Sequence, residues 1–139
     1  MKMIPRITTP SDEINTLDLE PMKKKLMENL DDPKAWNRGW SRKNADLTGE
    51  LYKTFLYICL KYPSEKIVPI REIDEFWHTH ILFTEKYFND CDKIFGYYLH
   101  HTPEENLRRT AKEEEKVQSE LDRTREMVFK EFPFLRDWR

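Results

Sequence analysis

Residues 70–103 of the chain read IREIDEFWHTHILFTEKYFNDCDKIFGYYLHHTP. This stretch contains all four histidines (His78, His80, His100 and His101) and Cys91, one of the two cysteines. Its apolar residues recur at helical spacing. We therefore predict one continuous helix that begins at residue 69, ends near residue 96 and lies at the centre of the fold.

Length and composition favour a small helical protein. A chain of 139 residues has the usual size of one domain, so we assign residues 1–139 to a single domain. Three glycines are too few for the many tight turns of an all-β protein or for a glycine-rich phosphate loop. We expect an all-α bundle of about four main helices with an extended N-terminal arm, and no nucleotide cofactor.

Charge and hydropathy argue against two classes of partner. The net charge is -2 and charges of both signs alternate, so there is no basic stripe for nucleic acid. There is no apolar run long enough to span a membrane and no basic-then-apolar leader. The two cysteines fit free thiols in a reducing compartment. These features predict a cytoplasmic protein that binds no membrane and give no reason to expect nucleic acid.

Helices are also predicted on both sides of the histidine stretch. Residues 1–16 are expected to form an extended arm. Helical periodicity then predicts one helix over about residues 20–30 and another over about residues 41–62, with Ser41 as its N-cap. The loop between them contains Trp36 and Trp40 as apolar anchors. Residues 102–105 read TPEE, which is typical of a capping box and predicts a charged helix over 102–130. Its narrow apolar seam favours a surface helix on one neighbour, with a coiled-coil or partner-binding helix as the alternative.

The aromatic tail over residues 131–139 has two interpretations. Phe132, Phe134 and Trp138 either fold back on the core or bind a protein partner together with the preceding helix. In the second case the region 102–139 docks the chain on a larger assembly.

Helical phase separates the two histidines of the WHTH motif. At about 100° per residue His80 lies in the middle of the apolar arc, whereas His78 lies about 200° away from it. His78 instead shares a face with Asp74, four residues earlier. On an unbroken helix His78 and His80 therefore cannot bind the same metal ion.

A metal site is the leading hypothesis for the remaining histidines. Asp74 and His78 could be joined by His101 when the chain returns after Gly96, and two histidines with a carboxylate suit Zn or Fe. The second-choice ligands are His80, His100 and Cys91. A hydrogen-bonded cluster and metal-free acid/base catalysis are the alternatives, and Cys91 is more simply a buried thiol.

The same stretch resembles a known family through the motifs D-x-x-W-H-x-H, Y-x-x-D-C and F-G-x-x-L-H-H. Over about residues 17–103 the chain is similar to bacterial glycine-rich domain-containing protein-like proteins, which are related to the N-terminal region of plant glycine-rich domain proteins. That family has no agreed enzymatic activity, so the resemblance implies none for this chain. The plant relatives are linked to development and stress responses, and RNA binding is sometimes suggested for them.

The resemblance implies a set of motif positions, with Trp77, Tyr87 and Asp90 as structural support for the site. The chain departs from the family at Phe83, where members tend to have aspartate, and over residues 102–106, where they have an aromatic run. The matching positions are Asp74, Trp77, His78, His80, Tyr87, Asp90, Cys91, Gly96, Leu99 and His101.

Three functions are compatible with these observations. The first is a small metal-binding domain. The second is a structural or interaction subunit in which the histidines form a polar core network. The third is a metal-dependent hydrolase or oxygenase, which requires an open cleft lined by His78.

Overall fold

The computed structural model describes residues 5–28, 39–102 and 110–137. Within these ranges the chain is mostly helical and has no strand, so the all-α prediction is confirmed. The expected number of about four main helices is wrong, because the same ranges contain seven. They are α1 (Asp12–Asn15), α2 (Glu20–Leu26), α3 (Arg42–Lys61), α4 (Arg71–Leu82), α5 (Thr84–Phe95), α6 (Ala111–Glu131) and α7 (Phe134–Asp137).

Helix α3 is the central element of the packing, since α1, α2, α4 and α6 all contact it. It begins as predicted at Ser41, whose side chain accepts a hydrogen bond from the Asn44 amide. Tyr52, Phe55 and Leu56 are buried on the face toward α2, α4 and α5. This face forms the main apolar core.

The histidine stretch is not one helix, so that prediction is wrong. Phe83 leaves the helical region with φ -82° and ψ 71°, which ends α4 and begins α5. Phe83 packs against the main core, so tertiary packing rather than a glycine or proline accompanies the break. Because α5 restarts the helical phase, Tyr87 and Cys91 are buried, but Phe88, predicted on the same apolar arc, is 61% exposed.

Gly96 terminates α5 in the predicted place. Its φ of 75° is left-handed, a conformation that glycine adopts without a Cβ clash. Its amide donates to the carbonyls of Cys91 and Asp92. The chain then runs back over α4 through residues 97–102.

Helix α6 starts with a capping box, but not the predicted one. Thr110 and Glu113 exchange side-chain to backbone hydrogen bonds. The predicted box at 102–105 falls largely on residues 103–109, which lie outside the described residues. Helix α6 packs along α3 and also contacts α7, rather than one neighbour alone. Only Thr124 on it is fully buried, as expected for a surface helix.

The two ends of the described chain meet at a second apolar cluster. Ile7 from the N-terminal arm packs with Ile58 of α3 and with Phe132 and Leu135 near the C-terminus. The tail therefore folds back on the core as far as residue 137.

Trp36 and Trp138 lie outside the described residues. No helix in the described ranges is long and apolar enough to cross a membrane.

Candidate functional site

A buried polar relay joins three helices at His80. The Nδ1 atom of His80 lies 2.8 Å from the hydroxyl of Tyr52 on α3. Its Nε2 atom lies 2.8 Å from Oδ2 of Asp90 on α5. His80 is 1% exposed, as its helical phase predicted, and Tyr52 is completely buried. We call Tyr52, His80 and Asp90 the core relay.

The pKa values around the relay fix where its protons lie. Burial lowers the pKa of His80, although the hydrogen bond to Asp90 opposes this effect, so the ring is neutral at pH 7. Burial raises the pKa of Tyr52, so its hydroxyl keeps its proton. The consistent arrangement is that Tyr52 donates to Nδ1 and that the Nε2–H group donates to Asp90.

Asp90 is the ionised end of the relay. Burial raises the pKa of Asp90, but the hydrogen bonds from His80 and Lys86 lower it by more. The pKa of Asp90 therefore lies below its ordinary value of 3.8. The ammonium of Lys86, one turn earlier on α5, lies 3.2 Å from the same carboxylate oxygen. The negative charge is thus compensated at the edge of the core.

A second set of contacts holds the chain after α5 against α4. The indole Nε1 of Trp77 donates to the hydroxyl of Tyr87 at 2.8 Å, and that hydroxyl donates to the backbone carbonyl of Leu99. The His101 ring stacks on Trp77 at 4.0 Å with an angle of 5° between the planes. Nε2 of His101 lies 2.7 Å from Oδ1 of Asp74. We call these residues the indole clamp.

The fold brings together two of the three first-choice metal ligands. Asp74 and His101 are in contact, whereas His78 is exposed on α4 and His100 is exposed beside Tyr98. In the part of the chain that the structure describes, no three His, Cys, Asp or Glu side chains are grouped so that they could hold one ion.

The other second-choice ligands are engaged or buried. Both ring nitrogens of His80 already have side-chain partners. Cys91 is a buried free thiol whose pKa is raised by burial, and burial raises the pKa of Cys59 to about 12. Both thiols are therefore protonated at pH 7, so neither is activated as a nucleophile.

Sequence reasoning missed Tyr52 and Lys86. Tyr52 lies three residues before Phe55 and so shares its buried face, and a tyrosine buried there needs a hydrogen-bond partner. That need was the available signal for the relay. Lys86 is four residues before Asp90, a spacing that favours an ion pair once both residues are placed on the same helix.

Comparison with protein families settles where the chain belongs. The UCP032817-like family model matches residues 14–126. The chain belongs to the UCP032817-like family. The matched region contains the core relay and the indole clamp entirely, so both are features of the family region of this chain. No curated protein and no solved structure matches the chain significantly.

Membership in the UCP032817-like family corrects the resemblance drawn from the motifs. The expectation of a glycine-rich domain-containing protein-like family was wrong, because the family match is to a different family. The departures noted at Phe83 and over residues 102–106 were defined against that other family and therefore carry no inference about the site of this chain.

Proposed function

We propose that this member of the UCP032817-like family is a cytoplasmic interaction domain in which histidines serve as structural links in the core. The observation that carries the proposal is that both ring nitrogens of His80 are bonded to side chains from two other helices. A fully satisfied buried network of this kind specifies one arrangement of its helices. It leaves His80 no free nitrogen for a metal or a substrate.

The surface best suited to a partner is the aromatic face of α5 and the chain that follows it. Phe88 and Phe95 are seven residues apart and lie on one helix face, and the Phe95 ring contacts Tyr97 at 5.5 Å. Phe88, Tyr97 and Tyr98 are 61%, 47% and 39% exposed. Several exposed aromatic side chains in one region are typical of protein interfaces.

The core relay and the indole clamp give this surface a rigid base. Asp90 and Tyr87 fix α5 to α4 from within. The Tyr98 ring meets the Tyr87 ring edge-on at 5.2 Å. A surface held in this way loses little conformational entropy when a partner binds, which favours affinity.

The tail is the weaker candidate for the partner surface. Phe132, which the sequence suggested for partner binding, is 4% exposed and covered by the chain's own residues. Phe134 is 48% exposed, but its neighbour Leu135 is buried in the second cluster. Within residues 110–137, docking through α6 and α7 would therefore present one well-exposed aromatic ring, that of Phe134, against three on the α5 surface.

Photo-crosslinking from two exposed positions in living cells tests this proposal. A benzophenone amino acid replaces Phe88 in one variant and Phe134 in the other. We expect a discrete protein adduct from position 88 that disappears when Tyr97→Ser is added, because this exposed substitution removes one ring of the surface without touching the core. An adduct from position 134 alone, or one from position 88 that persists with Tyr97→Ser, contradicts the proposed surface.

A metal site is the second candidate, and the contact between Asp74 and His101 favours it. The pair would need a further ligand, and the exposed His78 lies one helical turn along α4 from Asp74. Zinc and iron analysis of purified protein tests it, with His78→Ala and His101→Ala as variants. A filled site should lose its metal in both variants, and less than ~0.2 metal per chain in the unmodified protein excludes it. A hydrolase or oxygenase activity depends on the same measurement.

A further inference from the structure

A cavity of about 220 Å³ opens between α3, α6, α7 and the connection that precedes α4. None of its described lining residues belongs to the core relay or the indole clamp, and its described walls contain no histidine. Apolar side chains form nearly all of its surface. Its main apolar wall residues are Phe55, Ile58, Ile67, Ile73, Val128 and Leu135.

The few hydroxyl groups in the walls already have partners. The hydroxyl of Thr54 donates to the Leu51 carbonyl at 2.6 Å. The hydroxyl of Thr124 donates to the Glu120 carbonyl and accepts from the Val68 amide, both at 3.0 Å. The described side chains in the walls therefore leave no buried polar atom unpaired, and an apolar chain suits the interior best.

One charged side chain lies at the cavity, and it is positive. Arg125 is the only charged residue among the described residues that line it. Its side chain is 54% exposed. Among the described residues its carboxylate partner is Asp122, at 3.7 Å, which is too far for a normal hydrogen bond. The guanidinium is therefore able to take a second carboxylate in bidentate fashion. Ile70, at 42% exposure, extends the apolar wall to the surface.

We propose that this cavity binds a short alkyl carboxylate, with the chain inside and the carboxylate on Arg125. A cavity of about 150 Å³ lined by aliphatic and aromatic groups holds the six carbons of benzene, and by the same ratio this cavity holds about eight or nine carbons. Octanoate has the required length and charge. The site goes beyond the proposed interaction role, since it uses none of the aromatic surface of α5.

Titration of the full chain with octanoate, octanol and acetate tests the proposal. Binding is followed by calorimetry and by the NMR shifts of the methyl groups of Ile58, Ile67 and Leu135. We expect saturable octanoate binding that shifts these methyl groups, weaker binding of octanol, and no binding of acetate. Arg125→Gln should weaken octanoate binding by about fivefold, as expected for a partly exposed ion pair, and leave octanol unchanged.

Arg123→Gln is the matched control. Arg123 lies on the same helix with a similarly exposed side chain, but it pairs with Glu65 at 2.8 Å and does not line the cavity. This variant should bind octanoate as the unmodified protein does. No saturable binding below the critical micelle concentration, or methyl shifts elsewhere, overturns the site. Equal binding of octanoate and octanol, or equal losses in the two arginine variants, overturns the role of Arg125.

Discussion

Replacing His80 with alanine is expected to lower the free energy of unfolding by about 3 kcal/mol or more. The substitution leaves the Tyr52 hydroxyl without its partner and removes one of the two hydrogen-bond donors of Asp90. It also opens a cavity where a fully buried ring had been. The protein is expected to stay helical but to lose much of the coupling between α3, α4 and α5. Urea unfolding followed by circular dichroism measures the effect.

His78→Ala is the control for this experiment. This variant also replaces a histidine of α4, two positions before His80, but the His78 side chain is exposed. We expect a change within about 0.5 kcal/mol, as for most surface substitutions. His80→Gln should fall between the two, because an amide can replace part of the hydrogen bonding. Equal effects of His80→Ala and His78→Ala would show that the relay does not stabilise the fold.

Replacing Tyr87 with phenylalanine is expected to lower the free energy of unfolding by about 2 kcal/mol. The change removes one oxygen and leaves the packing nearly intact, but the Trp77 indole N–H and the Leu99 carbonyl lose their shared partner. Because Leu99 belongs to the segment over α4, local opening should increase most there. Hydrogen exchange by NMR should show that exchange rates rise more, relative to the unmodified protein, for amides over residues 97–102 than for amides elsewhere in the chain.

The nearby Tyr97→Phe variant separates this effect from a general response to losing a hydroxyl. Tyr97 is 47% exposed, and its hydroxyl has no part in the indole clamp. It should leave both the unfolding free energy and the exchange rates nearly unchanged. Uniformly faster exchange across all helices in Tyr87→Phe would instead mean that the clamp has no local role.

Periodicity and capping chemistry predicted much of the fold because both act over a few residues. The start of α3 at Ser41, the end of α5 at Gly96 and the burial of His80 all follow from local rules. The break at Phe83 did not, because no residue there is a helix breaker and local rules do not reveal the packing of Phe83 against the core. One wrong assumption of continuity then misplaced Phe88.

The candidate site was predictable only in part, because its members come from separate elements. Helical phase separated His78 from His80, and the return of the chain after Gly96 brings His101 to Asp74. Nothing local indicates that Tyr52, 28 residues before His80, reaches its ring. The two capping boxes raise a similar problem, since TPEE at 102–105 and TAKE at 110–113 read alike, and only the second begins a described helix.

The core relay also limits how this chain can diverge. A single replacement at Tyr52, His80 or Asp90 leaves a polar group from another helix without its partner, which costs stability at once. Replacing all three with apolar residues of similar volume removes most of that cost, since the only partner left behind among the described residues is the Lys86 ammonium, which is partly exposed to solvent. Evolution can therefore keep the three together or exchange them together, and the intermediate sequences form a barrier between two kinds of core.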